Sequence, residues 1–449
     1  MKIGFIIYYG PEIRTFVASK LIETLAENND VVLINKLPLN NNVFSILNKV
    51  RQIPFPDSES SNNIFDKIHS YLYDLHVKFY KSKMKIKGYG DFHFSDGINK
   101  DVYLLDYLKG SNIVLNIISL FMKFISYTQK ENIIHANFIE THKFDKIIYS
   151  SSLNSNCLNF LLSCRKRKIT LDYILSNWKD VFMYHYFHFI PDNLFYWSNQ
   201  LSKFSQKHNK IPSENIFISG NPYFYNLLST EKDLNIKNLY SSYSIGHNDK
   251  IILWTTGQDS MLSDEEKIIS DFNDLLYQYL EKPPIILVRK NPCSKIDYQI
   301  LEKKFKNIRI CKDYWKKNNE ADFLYLTEKG EKEWKIILNI SDLIISVPST
   351  VVLEASLNKI KVFNFIFNSS DEIIEKLHHY TQSFFYKPLV KSKHCDVETN
   401  VNNLANNVIN FIKEGCVKHN LELPEIIGGN ISFKVEDLAD KISQNSLKK

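Results

Sequence analysis

Short apolar runs alternate with apolar positions at helical spacing along most of this chain. The first run, residues 2–8, ends at Gly10 and Pro11; apolar side chains at helical spacing follow over 16–25, and a second run occupies 31–34. Short apolar runs bounded by turn residues are typical of buried strands, and a spacing of three or four is typical of helices. The chain therefore opens with a predicted β-α-β unit.

The same alternation recurs in two series, which a polar, turn-rich stretch at 232–249 separates. Further strands are predicted at 146–149, 170–175, 194–197, 215–219, 250–255, 284–289, 307–311, 343–346 and 362–365. Strands that alternate with helices favour a parallel, doubly wound sheet. We therefore predict an α/β protein with two Rossmann-like doubly wound domains facing a cleft. The first covers 1–231 with an insertion at about 40–130, the second covers 250–430, and a C-terminal helix or tail at 431–449 closes the second domain.

Composition narrows the class of protein. The 449 residues are 44% hydrophobic, which is enough for two cores, and the net charge of +6 gives no indication of a nucleic-acid partner. The six cysteines form no CxxC pair, so they indicate neither a zinc site nor a disulfide framework. The apolar stretch at 113–127 is interrupted by polar residues and is shorter than the ~18 residues of a membrane span. We predict a buried or interfacial helix there and a cytoplasmic protein.

The segment 343–356 carries the clearest chemical signal. An apolar run ends at Pro348, which halts a strand, and Ser349 and Thr350 are residue types that cap helices. The free N–H groups of such a helix start favour an anion. Glu354, one turn into the helix, is placed to accept hydrogen bonds from sugar or ribose hydroxyls. An ordinary capped helix is the alternative.

Two other turns of the second domain have phosphate-binding chemistry. Gly257 follows the first strand of that domain, where a small residue lets backbone N–H groups approach a phosphate. Arg289 and Lys290 follow the next strand and supply cations. A plain strand-to-helix turn and a solvated basic turn are the respective alternatives.

Three motifs of the chain resemble those of a known group of enzymes. The motif Ser-x-x-Ser-Thr-x-x-x-Glu-Ala at 346–355, the strand that ends in Gly-Asn-Pro at 220–222, and Asn177-Trp178 at a strand end are similar to motifs of GT-B fold glycosyltransferases. These enzymes act in bacterial surface-carbohydrate biosynthesis. In pattern they are related to CDP-glycerol glycerophosphotransferases and non-hydrolysing UDP-GlcNAc 2-epimerases. Two departures are Asn291, where the related enzymes commonly have His, and Lys179, which interrupts the usual Trp-Asp pair.

The resemblance implies metal-independent transfer of a sugar from a nucleotide-sugar donor, with no further cofactor, to a surface glycan or glycolipid such as lipopolysaccharide or capsule. The implied donor-binding residues are Gly257, Arg289, Lys290, Ser346, Ser349, Thr350 and Glu354. The implied cleft and hinge residues are Gly10, Asn177, Trp178, Gly220 and Asn221. The candidate catalytic bases are Glu12, Asp91 and Asp96, where Glu12 is alternatively a helix cap and the two aspartates belong to a glycine-bounded loop.

Three other functions stay open. A polyol-phosphate transferase of the CDP-glycerol type would commonly use the histidine that Asn291 replaces. A 2-epimerase requires several acids and a His in the cleft and fits the insertion poorly. A non-catalytic nucleotide-sugar-binding assembly subunit is the third.

The basic and aromatic stretch at 78–87 predicts peripheral contact with the inner membrane, with an anionic glycan or solvent as alternatives.

Overall fold

The structure of the chain is a computed structural model. It describes residues 1–36, 39–57, 64–83, 111–128, 131–150, 155–183, 187, 189–228, 236–259, 261–262, 264–317, 324–367, 369–416, 422–428 and 434–444.

The first domain is built on a sheet of seven parallel strands. These are β1 (Lys2–Ile7), β2 (Asp30–Asn35), β3 (Arg51–Pro54), β4 (Lys146–Tyr149), β5 (Thr170–Ile174), β6 (Asn193–Tyr196) and β7 (Ile216–Ile218). Their order in the sheet is β3-β2-β1-β4-β5-β6-β7. The central strands are continuous buried runs, as expected where helices cover both faces of a parallel sheet. Strand β3 lies in the stretch at about 40–130 that sequence analysis assigned to an insertion.

Helices connect these strands. They are α1 (Gly10–Glu12), α2 (Leu21–Ala26), α3 (Ile64–Lys83), α4 (Asn112–Thr128), α5 (Ile133–His142), α6 (Ser155–Lys166), α7 (Trp178–Met183), α8 (Asn199–Asn209) and α9 (Pro222–Leu228). A π-helical segment, Ile13–Ala18, joins α1 to α2, and short 3-10 turns occupy Ser45–Asn48 and Ser213–Asn215.

The second domain has a sheet of six parallel strands and a separate hairpin. The sheet strands are β8 (Ile251–Thr255), β9 (Ile285–Arg289), β10 (Ile308–Ile310), β13 (Leu343–Ser346), β14 (Lys361–Phe365) and β15 (Cys395–Glu398), and the antiparallel hairpin is β11 (Trp315–Lys317) with β12 (Leu324–Leu326). The order of the sheet is β10-β9-β8-β13-β14-β15. Both sheets therefore reverse their strand order beside their first strand, between β1 and β4 and between β8 and β13. Ligands of open α/β sheets bind at the carboxyl ends of strands at such points.

The helices of the second half are α10 (Ile236–Ser242), α11 (Glu265–Tyr279), α12 (Gln299–Lys304), α13 (Glu328–Ile340), α14 (Val351–Leu357), α15 (Asp371–Thr381), α16 (Lys387–Lys391), α17 (Val401–Lys413) and α18 (Val435–Gln444), with a 3-10 turn at Glu425–Ile427. Helix α10 lies inside the stretch predicted as the linker.

The C-terminal helix corrects one prediction. Sequence analysis placed it on the second domain, but α18 packs on α2 and α9 of the first. Its apolar side chains Leu438 and Ile442 belong to the core formed around β1 and β2. The carbonyl of Ile442 also accepts a hydrogen bond from the buried ammonium of Lys146, which pairs with Asp172 at 2.7 Å. The amphipathic pattern of α18 predicted that one face of the helix is buried, but a core in either domain could bury it.

Candidate functional site

Arg14 reaches from the first domain into the second. It lies in the π-helical segment that follows β1, at the carboxyl edge of the first sheet. Its guanidinium contacts Glu354 Oε1 at 3.1 Å and Glu331 Oε1 at 3.3 Å, both from the second domain. Both carboxylates are almost fully buried, with side chains 5% exposed, whereas Arg14 is 27% exposed. One cation from the first domain thus pairs with two acids of the other across the cleft.

Tyr223, at the start of α9, completes the cluster around Arg14. Its ring lies 4.0 Å from the guanidinium carbon, and its hydroxyl donates to Glu331 Oε2 at 3.0 Å and accepts from Arg14 Nη2. Burial alone would lower the pKa of Arg14, but Glu354, Tyr223 and Glu331 raise it above its usual range. Burial raises the pKa of Glu331, although Arg14 acts in the opposite sense.

A second arginine approaches the same acids from within the second domain. Arg289, the last residue of β9, lies 3.7 Å above the ring of Trp334 and 5.5 Å from that of Trp315. The indole of Trp334 donates to Glu354 Oε2 at 2.6 Å. Burial and the nearby charge of Arg14 lower the pKa of Arg289. Its guanidinium stacks on aromatic rings and donates no hydrogen bond within the described part of the chain, so its N–H groups are available to an anion.

A pocket opens beside Arg289, between the ends of β9 and β10, the hairpin and α13. Its lining is basic and aromatic: Arg289, Lys290, Cys311, Lys312, Asp313, Tyr314, Trp315, Leu326, Gly330, Glu333, Trp334 and Ile337. Cationic groups together with indole and phenol rings suit a ligand that carries both an anionic group and a planar ring.

The turn between β13 and α14 is partly occupied by the protein's own hydrogen bonds. Ser346 is fully buried in β13, and its hydroxyl accepts from the Asn364 amide at 3.0 Å. Ser349 Oγ accepts from the Val351 N–H at 3.3 Å. Thr350 is the N-cap of α14 and is half-buried, and its side chain makes no capping hydrogen bond. The predicted donor contacts of these three residues stay predictions.

The predicted phosphate-binding residues of the other two turns also contact the protein itself. The Gly257 N–H donates at 2.9 Å to Glu265, a fully buried carboxylate that also accepts from Trp254 Nε1 at 2.9 Å. Burial raises the pKa of Glu265 to about 7. Lys290 Nζ donates to the Ile296 carbonyl at 2.7 Å. Both predicted cations line the pocket, and Arg289 is the one whose guanidinium lies against the indole rings of Trp315 and Trp334.

The glycines predicted to lie at the cleft or hinge have different roles. A Cβ on Gly10 would lie 2.0 Å from the carbonyl oxygen of Leu324 in β12, so only glycine admits this close approach of the two domains. Gly220 has a φ of +69°, in the left-handed region, at the turn before α9. Asn221 follows, and its side chain accepts from the Tyr223 N–H at 3.0 Å, which caps the helix that carries Tyr223 to Arg14.

The loop after β5 packs between the domains. Asn177 Oδ1 accepts from the Lys179 N–H at 3.1 Å and starts α7. The ring of Trp178 is fully buried, with its centroid 5.5 Å from that of Phe385 in the second domain. Asp180, two residues on, is half-buried, and burial raises its pKa to about 7, although Lys179 opposes this. Asp180 lies in α7, the helix that follows the carboxyl end of β5.

Of the three predicted bases, the structure describes Glu12. Its Oε2 accepts from the backbone N–H groups of Tyr8 and Tyr9, the latter at 2.9 Å, as in a helix cap. Its role as a base stays a prediction. Asp91 and Asp96 lie outside the described residues, as does the whole glycine-bounded loop that contains them.

Sequence analysis did not assign roles to Arg14, Tyr223, Glu331, Trp334 or Asp180. Arg14 follows the end of β1 by seven residues, and Asp180 follows the end of β5 by six. Their place at the carboxyl edge of the sheet was therefore a usable signal. Nothing local marked Glu331, because its partner Arg14 is 317 positions away in the chain. No group of three metal-ligating side chains comes together in the part of the chain that the structure describes.

The comparisons with known proteins bear on the fold. No protein-family model matches the chain, and no curated protein matches it. Among solved structures, a UDP-GlcNAc 2-epimerase from Methanocaldococcus jannaschii aligns with a TM-score of 0.54 and 13% identity, over 99% of this chain and 100% of that one. The same archaeal enzyme in complex with UDP-GlcNAc and UDP gives a TM-score of 0.52 and 16% identity, with the same coverage.

A third structure agrees with these two. The UDP-GlcNAc 2-epimerase from Neisseria meningitidis, bound to UDP-GlcNAc, aligns with a TM-score of 0.55 and 12% identity, over 100% of both chains. Likeness at such identities concerns the fold. Full coverage of both chains confirms the predicted α/β architecture: the protein has two Rossmann-like domains that face a cleft, the GT-B fold.

Proposed function

We propose that the protein binds a nucleotide-sugar in the cleft and transfers its sugar to a glycan or glycolipid acceptor of the cell surface. One observation carries this proposal: two arginines lie close together at the carboxyl edges of the two sheets. Arg14 pairs with Glu354, Arg289 lies over the ring of Trp334, and Trp334 donates a hydrogen bond to Glu354. Guanidinium groups bind phosphates through paired hydrogen bonds. The structural neighbours from M. jannaschii and N. meningitidis are described as holding UDP-GlcNAc, which supports a donor of the same class.

In this proposal the nucleotide lies along the pocket beside Arg289. The nucleobase stacks among Tyr314 and Trp315, and the diphosphate accepts hydrogen bonds from Arg289 and meets the start of α14 at Thr350. Glu354 is near enough to receive ribose or sugar hydroxyls once Arg14 turns toward the diphosphate. Aromatic stacking and charge-assisted hydrogen bonds are the two contributions that such a donor requires.

Transfer requires a base on the acceptor side, and we assign it to Asp180. The acceptor oxygen forms a bond to the anomeric carbon while its proton passes to the carboxylate of Asp180. The bond from that carbon to the diphosphate oxygen breaks, and the nucleoside diphosphate leaves with the electron pair. Arg289 stabilises the charge that develops on the leaving oxygen. A base with a pKa of about 7 is well matched to neutral pH.

Epimerisation at the sugar is the second candidate, because the structural neighbours catalyse it by name. It requires a free carboxylate that removes a carbon-bound proton. Glu331 and Glu354 both pair with Arg14, and Glu354 also accepts from Trp334, so neither is an unpaired base in this conformation. This pairing is what favours binding and transfer over epimerisation.

Incubation with UDP-GlcNAc separates these functions. The transferase proposal predicts little change of the donor sugar alone and release of UDP when a glycan acceptor is added. Asp180→Asn is expected to lower transfer by about 100-fold or more while donor binding is kept. Formation of the 2-epimer without acceptor would establish the second candidate. Donor binding with no turnover, across a panel of acceptors, would support an assembly subunit.

A further inference from the structure

Helix α4 has two apolar faces, of which the inner one is accounted for by packing. Leu115, Ile118 and Met122 form a small core with side chains of α3 such as Tyr73 and Phe79. Ile125 is buried on the same side. This inner face fixes α4 against α3, and therefore fixes which side of the helix points outward.

The outer face is also apolar. Its side chains are largely exposed: Ile113 (71%), Ile117 (50%), Leu120 (67%), Phe121 (57%), Phe124 (64%) and Tyr127 (60%). Steps of three or four residues, with Leu120 and Phe121 adjacent, place them in one stripe along the helix. A contiguous stripe of six large apolar side chains differs from the scattered exposed apolar residues that any soluble surface carries. Such a stripe marks a contact surface.

The sequence around this face carries a net positive charge. Helix α4 contains no acidic residue, and Lys123 is exposed among the apolar side chains of the outer face. The chain that leaves α3 toward α4 contains five lysines and no acid between positions 78 and 87. From position 64 to position 130 the sequence has ten lysines and six aspartates, and no arginine or glutamate. The surroundings of the outer face are therefore basic in sequence.

We propose that the outer face of α4 docks on an anionic lipid bilayer, with the helix axis in the plane of the surface. Apolar and aromatic side chains enter the boundary between headgroups and acyl chains, and the lysines meet the anionic headgroups. A second copy of this chain is a poorer occupant, because a two-fold contact would bring like charges such as Lys123 of each copy together. None of the helices that the structure describes is both long and apolar enough to cross a bilayer.

Docking through α4 would bring the first domain, which forms one side of the cleft, to the membrane. Helix α3 contacts α7, which carries Asp180 and packs against the second domain. This proposal does not depend on the nucleotide-sugar proposal, because vesicle binding is measured without a donor.

Vesicle flotation with the full chain tests the proposal. The probes are phosphatidylcholine vesicles with and without about 30 mol% phosphatidylglycerol, a content that gives a strongly anionic surface. The protein is expected to bind the anionic vesicles, and Phe121→Ser with Phe124→Ser to weaken this binding about tenfold or more. A matched control is Tyr279→Ser with Ile300→Ser, which removes two exposed apolar side chains, 52% and 58%, from the second domain. The control is expected to bind as the unchanged protein does.

A third variant and a measurement of molecular mass distinguish a lipid bilayer from a second copy of the chain as the partner of this face. Lys123→Gln is expected to weaken binding to anionic vesicles and to leave binding to neutral ones unchanged. Equal binding by the unchanged protein and by the Phe121 and Phe124 double variant, or no binding to anionic vesicles, would overturn the proposal. A dimer in light scattering that this double variant dissociates, with no vesicle binding, would assign the face to a second copy instead.

Discussion

At the scale of single residues, the account rests on Arg14. It is one cation shared by two buried acids, Glu331 and Glu354, across the interface of two domains. Removing one partner of a buried ion pair is costly, because the other charges stay buried without compensation. Arg14 is therefore both a structural link and, in our proposal, a group that exchanges a carboxylate partner for a phosphate.

Arg14→Met is expected to lower the free energy of unfolding by about 2 to 4 kcal/mol, a range reduced because the guanidinium is partly exposed. Urea denaturation at neutral pH measures this. Arg51→Ala, which removes an exposed arginine at the edge strand β3, is the control and should change stability by less than about 0.5 kcal/mol. Adding Glu331→Gln to Arg14→Met should restore part of the loss. A double variant no more stable than the single one would contradict the buried-charge argument.

A second residue-scale prediction concerns Glu265. Burial raises its pKa in the folded chain from 4.5 to about 7, so the folded state holds a proton that the unfolded state has released between these values. Its stabilising contribution is therefore complete below pH 4.5 and is lost as the pH rises through 7, by at most about 3 kcal/mol. Glu265→Gln cannot titrate, so the difference in unfolding free energy between protein and variant should fall with pH over this window. A pH-independent difference would show that Glu265 is already ionised throughout it.

At the scale of elements, the pattern of apolar residues was sufficient wherever an element is buried on both faces. The strands predicted at 146–149 and 343–346 are found at those residues, and that at 284–289 is one residue longer than the observed Ile285–Arg289. The hairpin β11–β12 was not predicted, because Trp315-Lys316-Lys317 has no alternating pattern. The domain on which α18 packs was also mispredicted, because amphipathic spacing specifies a buried face and not its partner.

The position of α18 predicts that its side chains stabilise the first domain. Ile442 is fully buried beside β1 and β2, so Ile442→Ala is expected to cost about 2 to 4 kcal/mol of unfolding free energy. Hydrogen exchange should show faster opening of amides in β1 and α2, with those of β14 unchanged. Ile300→Ala, at an exposed position of α12, is the control. Faster exchange confined to the second domain would contradict this packing.

At the scale of the whole molecule, both sheets are parallel and doubly wound, as the alternation of strands and helices predicted, whereas their common strand order was not predicted. The site between them was predicted in part. Arg289 and Glu354 were named because the first stands at a strand end and the second lies in the helix after one, where ligands of such sheets bind. Their contacts were not predicted: Trp334 meets both residues from another helix of the second domain, and Arg14 meets Glu354 from the other domain. Local sequence carries little information on a contact between residues 340 positions apart.

The central claim is that this interdomain cluster is a nucleotide-sugar site, and calorimetric titration tests it most directly. The unchanged protein is titrated with UDP-, GDP-, CDP- and CMP-sugars, beside Arg289→Ala and the control Arg51→Ala. Our account predicts saturable binding of one nucleotide class, weakened about 30-fold or more by Arg289→Ala, as expected for lost charge-assisted hydrogen bonds, and unchanged in the control. Binding that is equally strong in Arg289→Ala, or no binding of any nucleotide-sugar by the folded protein, would contradict it.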